Sequence, residues 1–220
     1  MSYFKRGLLD ELSLSHGTDK SSTAHDYMRF YEFYFSKFKD DVFNLLELGV
    51  GPEENKGKSL LTWCDYFPNA SIVGVDVRPD AKSVETDRIK VEIGNLESID
   101  FLYAIAKKHP RNQILIDDAS HAWSHQILAF EVLFQTVLPG GLFVMEDINT
   151  SYQPLSEQRW YGNCYEDAFT YFNRLSYLVC GGKKPHHSYQ TIKPTPMQMA
   201  LAAKIDAICF YRDTILIVKK

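Results

Sequence analysis

The sequence predicts an α/β domain built around a doubly wound parallel sheet, and three observations support that prediction. With 220 residues, 45% of them hydrophobic and 24% charged, the chain can bury a sizeable core in one domain. Short apolar runs alternate with segments of helical periodicity through its middle part, which is the order of βαβ units. Two of these runs end in adjacent acidic residues, and open sheets bind ligands at the carboxyl ends of their strands.

The composition argues against several classes of protein. The formal net charge of −4 gives no electrostatic basis for binding nucleic acid. No apolar run is long enough to cross a membrane, and the N-terminal residues lack the apolar segment of a signal peptide. The four cysteines are scattered without Cys-x-x-Cys spacing, as expected of reduced thiols. We therefore expect a cytoplasmic protein with neither nucleic-acid nor membrane partners.

Residues 1–40 are interpreted as a helical N-terminal extension. We expect helices over about residues 3–13 and 24–38, and no strand in this region. The second helix is rich in aromatic residues, a pattern that favours core packing or a dimer contact over a substrate lid. A homo-oligomer formed through this helix therefore stays open as an interpretation.

Residues 41–147 contain the alternating elements of a predicted cofactor-binding core. The expected strands are short apolar runs bounded by glycine, proline or acidic residues. They cover Phe43–Leu48, Ser71–Asp76, Ile89–Ile93, Gln113–Asp117 and Leu142–Met145. The expected helices, which have apolar residues at helical spacing, cover about residues 60–66, 99–108 and 121–137.

The last third of the chain departs from this alternation. Residues 148–196 are interpreted as an irregular insertion on the acceptor side, around one helix over residues 166–180. Residues 197–220 are expected to form a C-terminal β-hairpin with Arg212 and Asp213 at its turn. The sequence contains no evident linker, so all 220 residues are assigned to a single domain.

Two acidic motifs end consecutive strands of the predicted sheet. Asp117, Asp118 and His121 follow one strand, and Glu146 and Asp147 follow the next. Neighbouring parallel strands would bring Asp118, Glu146 and Asp147 to one point, where carboxylate oxygens suit a hard cation such as Mg²⁺. The nearby His121 suits a base that removes a proton from a hydroxyl group. Each acid alone is more typical of a helix cap or turn, but the combination favours a metal-assisted site.

A glycine-rich loop follows the first strand. Gly49 and Gly51 permit a tight turn and the close approach of a ligand to the backbone. The dinucleotide fingerprint would need a third glycine where Glu54 stands, and that carboxylate would repel phosphates. S-adenosylmethionine, a cofactor with no phosphate and a positive sulfonium, fits this loop better. Asp76 ends the second strand, where an acidic residue commonly accepts hydrogen bonds from ribose hydroxyls.

Aromatic and histidine residues outside these motifs have less specific interpretations. Trp160 and Tyr161 could stack on a sugar face, and Trp123 could do so or pack in the core. His125 is expected at the surface or in ordinary packing. His186–His187 are adjacent, so their side chains need not converge on a metal ion, and a surface loop is favoured.

Several segments together resemble a known family. They are Gly17–Lys20, His25 and Tyr27, Leu46–Gly51, Ser59–Trp63, Tyr66–Ala70, Gly74–Asp76, Asp117–His121 and Glu146–Asp147. In these segments the chain resembles class I S-adenosylmethionine-dependent methyltransferases, and within them the metal-dependent sugar O-methyltransferases. The likeness extends over about residues 14–152 and includes macrolide 6-deoxysugar enzymes, rhamnosyl methyltransferases and relatives labelled cephalosporin hydroxylase.

The resemblance implies a Rossmann-like fold whose seven-stranded sheet has an antiparallel last strand. It also implies a metal site in which Asp118, Glu146 and Asp147 hold Mg²⁺. His121 would then be the general base that takes the proton of the acceptor hydroxyl.

On the cofactor side, the resemblance implies that Gly49 and Gly51 pass close to the methionine part of S-adenosylmethionine. Asp76 would hold the ribose, and Asp117 would lie near the sulfonium. Asn95 stands where family members often have an aspartate that positions adenine. The segment Gly17–Lys20 would belong to a region near the active site.

The function expected from these features is Mg²⁺-assisted methylation of a hydroxyl on a sugar or glycosylated small molecule, in natural-product or polysaccharide biosynthesis. Three alternatives stay open. The acceptor could be a catechol-like phenol, or the chain could be a non-catalytic accessory protein that binds S-adenosylmethionine. A nicotinamide dehydrogenase is disfavoured because the third glycine of the dinucleotide fingerprint is missing.

Overall fold

The computed structural model describes residues 5–152, 160, 164, 166–181 and 194–220. The chain divides into two compact units, residues 1–95 and 96–220, and its assignment to a single domain stays a prediction. Within the described residues, no helix combines the length and the apolar character needed to cross a lipid bilayer.

The strands, numbered in chain order, belong to one mixed sheet. They are β1 (Asn44–Leu48), β2 (Ser71–Asp76), β3 (Ile89–Ile93), β4 (Asn112–Asp117), β5 (Val137–Met145), β6 (Ile205–Tyr211) and β7 (Thr214–Lys219). Their order in the sheet is β3-β2-β1-β4-β5-β7-β6. β2 pairs in parallel with β1 and β3, and β4 pairs in parallel with β5, whereas β7 is antiparallel to β5 and β6. The predicted fold class, a seven-stranded Rossmann-like sheet with an antiparallel last strand, is confirmed.

Helices flank this sheet. In the described residues they are α1 (Leu8–His16), α2 (Met28–Phe35), α3 (Lys58–Tyr66), α4 (Ile99–Lys108), α5 (Trp123–Leu133), α6 (Ala168–Val179) and α7 (Pro196–Ala202). Short 3₁₀ turns follow several elements, at Ser36–Phe38, Pro79–Val84, Phe134–Thr136 and Ile148–Ser151. The predicted bounds of β2, β3 and α4 match to the residue, because strand or helical periodicity ends there at acidic, glycine or histidine residues.

The aromatic residues of α2 pack in the core of the first unit. Tyr31 and Phe35 lie against Trp63 of α3, with ring centroids 6.1 and 5.8 Å apart, and all three side chains are fully buried. The interpretation of this aromatic pattern as core packing is therefore confirmed for these residues. Phe33 of the same helix is exposed, and a homo-oligomer stays a prediction.

The bounds of the two N-terminal helices differ from those predicted. α1 ends at His16, and a φ of 71° at the capping residue Gly17 lets its backbone N–H donate to the carbonyls of Ser13 and Leu14. Glycine in this position is a common helix terminator. α2 begins at Met28 because Asp26, with a φ of 57°, lies outside the helical region of backbone conformations.

The second unit contains two further departures. The helix predicted from residue 121 begins at Trp123, because His121 has a φ of 56° and cannot belong to the helix. β5 begins at Val137, before its predicted start at residue 142, and its pairing with β4 shifts register between Asn112 and Ile114. This shift absorbs Pro139, Gly140 and Gly141, which precede the predicted start of the strand.

The core of the second unit forms where α5 and α6 meet the sheet. Phe130 of α5 contacts Phe143 of β5 and Phe172 of α6, with ring centroids 5.2 and 4.9 Å apart. All three rings are fully buried. This packing fixes the helix that follows the Asp117–His121 motif.

β6 and β7 form the predicted C-terminal hairpin. Tyr211 pairs with Thr214, which leaves Arg212 and Asp213 as the two turn residues, as predicted. The region 197–220 is not all hairpin, however, because α7 precedes it. That helix begins with a capping box between Thr195 and Gln198, a sequence signature that the prediction overlooked.

Candidate active site

The loop after β1 adopts backbone conformations that require its glycines. Gly49 and Gly51 have φ values of 94° and 90°, which residues with a side chain rarely adopt. A Cβ atom on Gly51 would lie 3.1 Å from the carbonyl oxygen of Asn55. The Gly49 N–H donates to the carbonyl of Val75 at 2.7 Å, so the loop is tied to the end of β2. The two predicted glycines therefore shape a compact loop.

Asp76 ends β2 as predicted, and several donors hold its carboxylate. Oδ2 accepts a hydrogen bond from the Val50 N–H at 3.0 Å, and Oδ1 accepts one from the Arg78 N–H at 2.9 Å. The Arg78 guanidinium also contacts this carboxylate, with Nε 3.2 Å from Oδ1, and Nη2 bonds to the carbonyl of Gly51. The hydrogen bond to Asp76 raises the pKa of Arg78 above its usual range. The sequence analysis did not identify Arg78.

A buried ion pair connects the N-terminal motif to β1. Lys20 is 2% exposed and Glu47 is fully buried, and Lys20 Nζ lies 3.8 Å from Glu47 Oε1. Glu47 Oε2 accepts hydrogen bonds from Ser59 Oγ at 3.0 Å and Trp63 Nε1 at 2.8 Å. The charges are therefore compensated inside the unit, and the pair fixes the N-terminal motif against the strand that leads into the glycine loop.

The same motif contacts the glycine loop directly. Asn55 Nδ2 donates to Asp19 Oδ2 at 3.1 Å, and the Gly57 N–H donates to the carbonyl of Val50 at 2.7 Å. These bonds hold both ends of the loop segment 50–57. The segment Gly17–Lys20, predicted near an active site, thus anchors the loop that is predicted to bind the cofactor.

Asp117 ends β4 with a fully buried carboxyl group. Its Oδ2 has no hydrogen-bond partner among the described residues. Burial raises the pKa of Asp117 to about 7, and the negative charge of Asp118 acts in the same direction, whereas a backbone hydrogen bond from Ala119 opposes them. A carboxyl group in this state is neutral below about pH 7.

Three predicted site residues lie together at the ends of β4 and β5. Asp118, His121 and Asp147 each place a potential ligand atom within 4.8 Å of the others. His121 Nε2 is 3.5 Å from Asp147 Oδ2, and the two side chains are 24% and 20% exposed. His121 Nδ1 is buried without a hydrogen-bond partner among the described residues. Two carboxylates and an imidazole at this spacing fit a divalent cation.

Strained backbone conformations place these residues. His121 and Asp147 have φ values of 56° and 51°, which are uncommon outside glycine and cluster at functional sites. Thr150 Oγ1 donates to the carbonyl of His121 at 3.1 Å. The Glu146 N–H donates to the carbonyl of Asp117 at 2.9 Å. The two acidic motifs are therefore joined through their backbones.

A side-chain network supports the loop between Asp118 and His121. Ser120 Oγ lies 2.6 Å from His125 Nδ1, and His125 Nε2 lies 3.2 Å from Glu97 Oε1. We call Ser120, His125 and Glu97 the positioning network. The sequence analysis expected His125 at the surface or in packing and missed this network, although its place in the first turn of α5, just after the motif, was an available signal.

Among the described residues, the other predicted site residues do not belong to the cluster of Asp118, His121 and Asp147. Glu146 is almost fully buried and is not among the three residues that approach one another, so its role as a metal ligand stays a prediction. Asn95 is exposed, and its adenine contact also stays a prediction. Trp160 lies near the cluster, with its ring 6.3 Å from that of His121, whereas Trp123 is buried. Tyr161, His186 and His187 lie outside the described residues.

Comparison with known proteins gives the sequence relatives of the chain. No protein-family model matches it. It is 38% identical over 151 residues to 8-demethyl-8-(2-methoxy-alpha-L-rhamnosyl)-tetracenomycin-C 3'-O-methyltransferase of Streptomyces olivaceus, which covers 67% of this chain and 38% of that protein. It is 36% identical over 149 residues to mycinamicin VI 2''-O-methyltransferase of Micromonospora griseorubida, covering 66% and 37%. The chain thus spans well under half the length of these two curated relatives.

Solved structures share the fold. MycE methyltransferase from the mycinamycin biosynthetic pathway, in complex with Mg, SAH and mycinamycin VI, matches with a TM-score of 0.80 and 27% identity, covering 98% of this chain and 55% of that one. An O-methyltransferase from Bacillus cereus in complex with SAH matches with a TM-score of 0.53 and 13% identity, covering 98% and 92%, a likeness that concerns the fold alone. The chain is therefore a homologue of the sugar O-methyltransferases of macrolide and tetracenomycin biosynthesis and has the class I methyltransferase fold.

Proposed function

We propose that this chain is an S-adenosylmethionine-dependent O-methyltransferase that methylates a hydroxyl on a sugar or glycosylated small molecule with the help of Mg²⁺. The observation that supports this proposal most is the approach of Asp118, His121 and Asp147 to within 4.8 Å of one another. The curated relatives are named as 3'-O- and 2''-O-methyltransferases of tetracenomycin and mycinamicin compounds. These names favour an acceptor from natural-product biosynthesis.

The donor set fits the proposed cation. Asp118 and Asp147 offer hard oxygen ligands, as Mg²⁺ prefers, and Glu146 is the proposed third acid. When bound, a divalent cation would hold the acceptor hydroxyl and lower its pKa. Without a cation, the two neighbouring carboxylates repel each other. Cation binding would therefore remove a repulsion that destabilises the folded protein.

His121 is the proposed general base. Its imidazole can take the proton of the acceptor hydroxyl, and the Asp147 carboxylate 3.5 Å away offers a counter-charge to the ring once it is protonated. The hydroxyl oxygen then forms a bond to the methyl carbon of S-adenosylmethionine. The carbon–sulfur bond breaks, its electron pair stays on sulfur, and S-adenosylhomocysteine is released.

The glycine loop and Asp76 form the proposed cofactor subsite. Gly49 and Gly51 have positive φ values and no Cβ atoms of their own, which lets a ligand approach the backbone of this loop closely. Asp76 is the proposed acceptor for the ribose hydroxyls, and Asn95 the proposed adenine contact. Asp117 is proposed to lie near the sulfonium.

The proposed acceptor is consistent with an aromatic ring near the base. Trp160 lies 6.3 Å from the His121 ring, between centroids, and indole faces suit the apolar face of a sugar ring. An acceptor that contains a sugar is therefore favoured over a second protein.

Calorimetry and a methyl-transfer assay test this function together. S-adenosylhomocysteine should bind wild type and the double variant Asp118→Asn/Asp147→Asn alike, whereas Mn²⁺, used as a probe for Mg²⁺, should bind wild type alone. Transfer of a radiolabelled methyl group to a panel of rhamnosides and macrolide glycosides should stop with EDTA and return with Mg²⁺.

Controls separate the alternatives. Asp206→Asn, which neutralises an exposed acid on β6, should leave both binding events unchanged. Catechols in the acceptor panel test the phenol alternative, which would be favoured if they alone were methylated. Absence of S-adenosylhomocysteine binding by wild-type protein would refute the proposed cofactor.

A further inference from the structure

The Arg78 side chain folds back over the proposed ribose acceptor. Arg78 lies two residues beyond Asp76, the last residue of β2. Its Nε is 3.2 Å from Asp76 Oδ1 and its Nη2 is 3.3 Å from Oδ2, the two-pronged geometry in which a guanidinium meets a carboxylate. Nη2 also bonds to the carbonyl oxygen of Gly51. One side chain thus spans the acidic residue and the glycine loop.

The Asp76 carboxylate has no acceptor capacity left for a ligand. A carboxylate offers about four lone-pair positions. Oδ1 accepts from the Arg78 N–H and Nε, at 2.9 and 3.2 Å. Oδ2 accepts from the Val50 N–H and from Arg78 Nη2, at 3.0 and 3.3 Å. Two ribose hydroxyls could donate to Asp76 only after two of these four donors had left.

The guanidinium is the group that can leave. The two backbone donors belong to the glycine loop and to the turn after β2, which cannot move without rebuilding both. The Arg78 side chain is 35% exposed, and its unbranched aliphatic chain can rotate about several bonds. We infer that Arg78 sets the affinity of the nucleoside subsite: its guanidinium occupies Asp76 in the free protein and withdraws when the ribose hydroxyls bind. This inference rests on the proposed cofactor.

Two further acids interact electrostatically with Arg78. The charges of Asp80 and Glu53 both act on Arg78, after the larger contribution of Asp76. Lys56 Nζ contacts Asp80 at 2.8 Å and Glu53 at 2.6 Å, and the side chains of these two acids are 52% and 79% exposed. Arg78 can therefore exchange one carboxylate for another, which keeps the cost of its withdrawal small.

Binding of S-adenosylhomocysteine to Arg78→Ala tests the inference. Because the contact that is lost is partly exposed, we expect the dissociation constant to fall about three- to tenfold relative to wild type. Arg78→Lys should lie between them, since one ammonium cannot span both carboxylate oxygens. Added salt should tighten binding to wild type, because it screens the Arg78–Asp76 pair, and should leave Arg78→Ala unchanged.

The salt series on wild type provides a test that needs no variant and so does not depend on how Arg78→Ala folds. Arg212→Ala, which removes an arginine from the turn of the C-terminal hairpin, is the matched control and should bind as wild type does. Equal or weaker binding by Arg78→Ala, or wild-type binding that salt does not tighten, would overturn the inference while leaving the proposed function intact. No binding by wild type or Arg78→Ala at any salt concentration would overturn the proposed cofactor, and this inference with it.

Discussion

The region around Asp76 and the region around Asp118 both place carboxylates at strand ends. They differ in how the negative charge of these carboxylates is compensated. At Asp76, four hydrogen-bond donors surround one carboxylate. At Asp118, a second carboxylate and an imidazole lie within 4.8 Å, and the adjacent Asp117 has an oxygen without a donor among the described residues. The first region is satisfied by the protein itself, whereas we propose that a cation completes the second. A carboxylate that already accepts four hydrogen bonds and a carboxylate that lies beside a second acid therefore indicate different ligands.

The buried pair of Lys20 and Glu47 lies in the same unit as Asp76 and offers the strongest test of internal charge compensation in that unit. Lys20→Met should destabilise the protein by about 3–5 kcal/mol, because it leaves a buried carboxylate without its counter-charge. Thermal unfolding monitored by circular dichroism measures the effect. The double variant Lys20→Met/Glu47→Gln should recover part of the loss, since the charge left behind is then neutralised.

A surface ion pair in the same unit is the control for this experiment. Arg6 Nε lies 3.1 Å from Asp26 Oδ1, but its side chain is largely exposed. Arg6→Met should therefore leave the unfolding temperature nearly unchanged. If Lys20→Met unfolded at the wild-type temperature, the buried pair would not be what compensates this region.

Metal binding tests the proposal that a cation compensates the carboxylates in the region around Asp118. Asp118→Asn and Asp147→Asn should each weaken Mn²⁺ binding by more than about 100-fold, beyond the loss typical of residues that only support a ligand. Calorimetry gives the affinity, and a rise in wild-type unfolding temperature with Mg²⁺ gives an independent reading. Unchanged affinity in both variants would mean that the cluster is not a metal site.

The same titration decides between two sets of ligands. The structure brings His121 to Asp118 and Asp147, whereas the sequence analysis chose Glu146 as the third ligand and His121 as the base. A loss of Mn²⁺ affinity in Glu146→Gln, with His121→Ala close to wild type, supports the predicted set. The reverse result would make His121 a ligand and require another base.

Asp117 predicts how stability depends on pH in the second region. Its folded-state pKa is raised from 3.8 to about 7, so between these values the folded protein binds a proton that the unfolded chain has lost. Stability should therefore fall as pH rises through this window, by up to roughly 1.4 kcal/mol per pH unit. In EDTA, Asp117→Asn should lack this slope. Equal slopes in urea unfolding of both proteins between pH 5 and 6.5 would contradict the raised pKa.

The sequence predicted most of the fold because periodicity and punctuation are local. The bounds of β2 and β3 follow from the extent of their apolar runs. The hairpin turn at Arg212–Asp213 follows from the polar break between the apolar runs of β6 and β7. The misplaced elements had local signals that competed with periodicity. Gly17 ends α1 as a left-handed cap, and the capping box at Thr195 begins α7.

The residue types of the site could be predicted from the sequence, but the hydrogen-bond and ion-pair partners of its side chains could not. Adjacent acids at strand ends indicated the cluster of Asp118 and Asp147. Nothing in the spacing of Asp76 and Arg78 indicates that a guanidinium fills the ribose acceptor, because that depends on a rotamer choice and on the Gly51 carbonyl. The pair of Lys20 and Glu47 is likewise a long-range contact that periodicity does not encode.

Disruption of the positioning network has the smallest expected effect. It also distinguishes most sharply between residues that bind a metal ion and residues that orient its ligands. His125→Ala removes the partner of Ser120 Oγ but no group of the cluster itself. We expect Mn²⁺ affinity to fall about tenfold, at the lower end for residues that orient ligands, with S-adenosylhomocysteine binding unchanged. His125→Gln should restore part of the affinity because its amide can still bond to Ser120. His16→Ala removes a surface histidine paired with Asp65 at 2.8 Å and should change neither affinity. A loss in His125→Ala as large as that in Asp147→Asn would instead place His125 among the ligands, and no loss would mean that the strained backbone at His121 holds the loop by itself.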